Sequence, residues 1–121
     1  MPAPAHVLIV EDSDAVASAM RILVESGGHR VSIAPTIADA LAIGTSDPAR
    51  LVLLDVTLPD GDGLVLVQPL RAAGAKTVIA LTGHDDADTR RRCLEAGCDD
   101  VLVKPVPARE LVARVDAWTG G

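Results

Sequence analysis

The chain has 121 residues, which suits one domain with a single core, and 49% of them are hydrophobic, which excludes a chain disordered by composition. With no Phe or Tyr and one Trp, that core must be aliphatic. A net charge of −6 argues against general affinity for nucleic acid.

Cys93 and Cys98 fit neither a redox Cys-x-x-Cys nor a zinc pattern, so they read as buried thiols in a reducing compartment. No stretch is long enough to span a membrane, and Met1 to His6 lacks the basic start and apolar core of a signal peptide. A cytoplasmic location is the expectation.

In chain order, Met1 to Ala5 is expected to be a flexible tail carrying Pro2 and Pro4, followed by one domain over 6–118. His6 to Val10 is a first strand. Ser13 or Asp14 caps a helix with Val16, Met20, Leu23 and Val24 on one face, and Gly27-Gly28 ends it. Arg30 to Ala34 alternates as a short strand does. Thr36 caps a second helix that turns Ile37 and Leu41 inward, and Asp47-Pro48 leads into a strand ending at Asp55.

The turn-rich run Leu58 to Gly63 precedes a helix over Leu64 to Ala73, which Pro69 should kink or shorten. Thr77 to Leu81 is the fourth strand. Asp85 or Asp86 opens a fourth helix, which carries Arg90-Arg91-Arg92 and ends by Gly97. Val101 to Val103 is the fifth strand. Ala108, Leu111, Val112, Val115 and Trp118 stripe the last helix, and residues 119–121 form a second tail. Strand and helix alternate five times, which predicts an α/β fold with helices on both faces of a parallel sheet.

Four of these strands are continuous apolar runs that stop at polar residues: Glu11-Asp12, Asp55, Thr82 and Lys104. Ligands in such sheets bind beyond the carboxyl ends of the strands, so these residues are expected to converge around Asp55. Taken singly, each reads as well as a helix cap or a solvated charge. Taken together, three gathered carboxylates repel one another unless a cation joins them. A divalent ion and Lys104 balance the charge, and an all-oxygen set suits Mg²⁺. The cation, Lys104 and the Thr82 hydroxyl would then receive a phosphoryl group.

The acidic pair Glu11-Asp12, then Asp55 followed by Leu58-Pro59 and Asp62-Gly63, then Thr82, Ala96-Gly97-Cys98-Asp99-Asp100 and Lys104-Pro105, resemble the receiver domain of two-component response regulators. The match runs in order over nearly the whole chain. It implies a flavodoxin-like, five-stranded parallel sheet of strand order 2-1-3-4-5. It also implies that Asp55 accepts a phosphoryl group from a sensor histidine kinase or a histidine phosphotransfer protein, and that Thr82 and Lys104 grip the phosphoryl oxygens. Mg²⁺ would be held by the carboxylates of Asp12 and Asp55, by the backbone carbonyl of Thr57 and, through water, by Glu11. The Lys104-Pro105 peptide should be cis.

By the same resemblance the chain is a signalling module and not a turnover enzyme. An output partner would meet the face over 85–118, and a dimer would depend on phosphorylation. The chain departs from the family at Val101, where a switching aromatic is common, and Thr57 and His84 stand where the family tunes dephosphorylation.

An aspartyl-phosphate hydrolase needs more chain than this, and a flavin phosphate would be repelled by Glu11-Asp12-Ser13-Asp14. A degenerate receiver serving only as a dimerisation or protein-interaction module conflicts with the intact set of acids, Thr82 and Lys104.

Overall fold

The computed structural model describes residues 4–120. Five strands and five helices alternate: β1 (His6–Val10), α1 (Asp14–Ser26), β2 (Arg30–Ala34), α2 (Ile37–Ser46), β3 (Leu51–Asp55), α3 (Val67–Ala73), β4 (Thr77–Thr82), α4 (Ala87–Glu95), β5 (Asp100–Val103) and α5 (Ala108–Gly120). The strands form one sheet in the order β2-β1-β3-β4-β5. Every neighbouring pair is parallel, with Val7 beside Leu51, Leu53 beside Ile79 and Ala80 beside Val101. The expected topology is therefore present.

The apolar runs are explained by burial on both faces. All residues of β1 and β3 are buried. Val7, Ile9, Leu53 and Leu81 pack with Met20, Leu111 and Val115 of α1 and α5. Leu8, Val52, Leu54 and Ala80 pack on the other face with Ala40, Leu70 and Cys93 of α2, α3 and α4. Each Leu or Ile taken fully out of water stabilises the fold by about 1.5–3 kcal/mol, an upper figure because the unfolded chain already hides some surface.

Ser13 caps α1, Thr36 caps α2 and Asp86 caps α4, each accepting from a backbone N–H three residues on. In α1, Ala17 faces the core in place of Val16, which is 37% exposed. In α2, Ala40 and Gly44 lie innermost, and Ile37 and Leu41 flank them. The helix expected from Leu64 starts as a 3₁₀ turn over Gly63–Leu66, and only Val67–Ala73 is α-helical. Pro69 falls in the first turn of α3, where a backbone N–H has no intrahelical partner, so its missing donor costs little.

At the two ends, the described residues Ala5 and Thr119 belong to the packed domain. Residues 1–3 lie outside the described residues. Ala5 is buried; its N–H donates to His29 Nδ1 and its carbonyl accepts from Arg30 N–H. Thr119, expected in the C-terminal tail, lies in α5 and is fully buried. Its hydroxyl donates to Val115 O and sits 3.3 Å from His29 Nε2. Satisfying that hydroxyl within the helix removes the usual penalty for burying it.

Candidate functional site

Because all five strands run the same way, their carboxyl ends share one edge of the sheet. Glu11 and Asp12 follow β1, Asp55 ends β3, Thr82 ends β4 and Lys104 follows β5. The acids do meet: carboxylate oxygens of Glu11, Asp12 and Asp55 lie within 4.8 Å of one another. Glu11 and Asp55 are buried and Asp12 is exposed, so the cluster opens to solvent on one side.

Lys104 Nζ donates to Glu11 Oε2 and to Asp55 Oδ2, each at 2.8 Å. Burial pushes the Glu11 carboxyl above its ordinary value, the Asp55 carboxylate adds to this, and Lys104 offsets part of it. Burial works against the Lys104 charge, but its bonds to Asp55 and Glu11 outweigh burial and raise its pKa. One ammonium thus contacts two of the three carboxylates but offsets only one unit of their charge, and the set retains a net negative charge for a cation to meet.

Asp55 Oδ1 accepts from the Thr57 N–H at 3.0 Å, so both acceptor oxygens are engaged. Thr82 is buried; its hydroxyl accepts from His84 N–H at 3.1 Å, and its carbonyl accepts from Lys104 N–H at 2.8 Å. The Lys104-Pro105 peptide is cis, as the resemblance implied. Val101 is buried against the helices of its face. Cys93 and Cys98 are buried free thiols, and burial pushes Cys98 up to about 12, which leaves no reactive thiolate there.

The loop after Asp55 holds more order than its turn residues implied. Thr57–Leu58 and Gly61–Asp62 pair as a small antiparallel hairpin, with Thr57 opposite Asp62. Asp60 accepts from Ile37 N–H and Ala38 N–H at the start of α2, and these bonds hold its carboxyl below the usual range. Gly63 passes so close to β3 that a Cβ there would lie 2.1 Å from Asp55 O. The two Asp-Gly steps signalled turns, but not these long-range partners.

Residues 7–116 match the family model described as the response regulator receiver domain. Over 112 residues the chain is 38% identical to the TorCAD operon transcriptional regulatory protein TorR of Escherichia coli O157:H7, covering 93% of this chain and 49% of TorR. It is 38% identical over 110 residues to the KDP operon transcriptional regulatory protein KdpE of Escherichia coli strain K12, covering 91% and 49%.

Among solved structures, it is similar to the receiver domain of sensor histidine kinase PA1611 from Pseudomonas aeruginosa PAO1, which has a magnesium ion in its active site cleft. The TM-score is 0.85 at 29% identity, with 98% of this chain and 100% of that one covered. The chain belongs to the response regulator receiver domain family, a domain of two-component signalling proteins. It spans about half the length of the curated relatives it matches. No helix among the described residues is long and apolar enough to cross a membrane.

Proposed function

We propose that Asp55 is the phosphoacceptor of this receiver. The observation that carries the reading is the buried Asp55 carboxylate held 2.8 Å from Lys104, beside Glu11 and Asp12 at one sheet edge. A carboxylate oxygen of Asp55 attacks the phosphorus of a phosphohistidine on a sensor kinase or a phosphotransfer protein. The P–N bond breaks, the imidazole leaves, and an aspartyl phosphate remains.

Lys104 turns to the incoming phosphoryl oxygens, and the Thr82 hydroxyl donates to one of them once it swings from His84 N–H. The donor set is all oxygen, clustered and partly open, which fits Mg²⁺. Asp12 and Asp55 would hold the ion with the Thr57 carbonyl, and Glu11 would hold it through water. When bound, it neutralises charge on the transferring group.

Thr82 ends β4, so its movement pulls the segment over 83–86 and α4 with it, which changes the face over 85–118 for an output partner or a second receiver. This reading also places the chain in the cytoplasm with its kinase. The test is whole-protein mass spectrometry after incubation with a phosphodonor. One added phosphoryl group that requires Mg²⁺ and disappears in Asp55→Asn supports the reading. Equal labelling of Asp55→Asn overturns it.

A further inference from the structure

Thr82 joins the acceptor site to the start of α4; a second connection reaches its far end. Arg92, in the last turn of α4, donates from Nη2 to Asp62 Oδ2 at 2.8 Å. The other Asp62 oxygen, Oδ1, accepts from Leu64 N–H at 2.9 Å, so the carboxylate is fixed on both sides. Asp62 is the cross-strand partner of Thr57 in the small hairpin, and Thr57 N–H donates to the Asp55 carboxylate. A continuous path of hydrogen bonds and one strand pairing therefore runs from α4 to Asp55, and it does not pass through Thr82.

The other end of the hairpin is anchored differently. Asp60 ties it to the first turn of α2. One side of the hairpin is thus tied to α2 and the other, through Asp62, to Arg92 of α4. The neighbouring arginines do not share this role. Arg91 pairs with Asp88 and Glu95 of its own helix, and Arg90 pairs with Asp85.

We infer that Arg92 is a positioning residue for the acceptor site, which through Asp62 sets Thr57 and so makes Asp55 and its surroundings respond to the position of α4. This rests on the proposed roles of Asp55 and Thr57. Coupling between two sites is reciprocal, so a partner that moves α4 changes the cation affinity of the acceptor site by the same factor that the cation changes the partner's affinity. The Arg92–Asp62 pair is about half exposed and adds little to stability. A pair of that strength shifts a two-state equilibrium by about two- to fivefold, enough to grade a switch without locking it.

The test compares Arg92→Gln with Arg91→Gln, which removes the same charge from the same helix. Two readouts apply: amide shifts of Thr57 and Asp62 in metal-free protein by NMR, and Mg²⁺ affinity by calorimetry. Arg92→Gln should move both amides and weaken Mg²⁺ binding by about two- to fivefold, with Arg91→Gln close to wild type. Should Arg92→Gln not fold, Arg92→Lys gives the same readouts at smaller amplitude, because a point charge replaces the planar fork. Equal behaviour of the Arg91 and Arg92 variants on both readouts overturns the inference. If wild type binds no Mg²⁺, the metal-site reading fails, and the metal-free amide shifts still decide the role of Arg92.

Discussion

Lys104 and Asp55 are 49 residues apart in sequence, yet their side chains meet at 2.8 Å, and the same ammonium holds Glu11 at 2.8 Å. Lys104 is therefore the internal counter-ion of a carboxylate pair that is otherwise buried. Lys104→Met leaves both carboxylates facing each other with no cation between them. The metal-free protein should lose about 1–3 kcal/mol of stability, read as a lower urea midpoint, and added Mg²⁺ should recover part of it. An unchanged midpoint would show that the ammonium does not offset the carboxylates.

Gly63 tests the closeness of the hairpin to the acceptor. A methyl group there meets the Asp55 carbonyl at 2.1 Å, a backbone atom that cannot turn aside. Gly63→Ala should cost about 1–3 kcal/mol in urea unfolding and shift the Asp55 amide in NMR spectra. A substitution tolerated without either change would mean that the loop does not pass that close.

Asp60 supplies a pH dependence of known sign. Its carboxyl lies below the ordinary value because Ile37 N–H and Ala38 N–H donate to it. A depressed folded-state pKa contributes stability that is present above the unfolded value of 3.8 and is lost as pH falls through the folded value. Asp60→Asn should therefore flatten the acid limb of the stability curve below about pH 4, measured as urea midpoints. An acid limb as steep as that of wild type would assign the dependence to other carboxylates.

Glu11, Asp12, Asp55, Thr82 and Lys104 were legible because each stands where an apolar run stops. Val7 to Val10 stops at Glu11-Asp12 and Leu51 to Leu54 stops at Asp55, so a parallel sheet brings them to one edge without any further assumption. The caps Ser13, Thr36 and Asp86 were legible for a local reason, since each bonds a backbone group three residues away.

Arg92 and Asp62 were not legible as a pair, because they are 30 residues apart and neither sits in a periodic pattern. Thr119 was expected in a tail, yet its hydroxyl is satisfied inside α5. One of its partners is His29, 90 residues away in sequence, which no local rule reports. Pro69 pointed to a shortened helix, and the structure places the change from 3₁₀ turn to α-helix at Val67.

The most direct test of the central claim is to locate the phosphoryl group by peptide mass spectrometry after reaction with a phosphodonor and Mg²⁺. The account predicts that it lies on Asp55, the buried carboxylate between Lys104 and Thr57 N–H. A phosphoryl group found on Thr57, Thr82 or His84, with Asp55 unmodified, would contradict it.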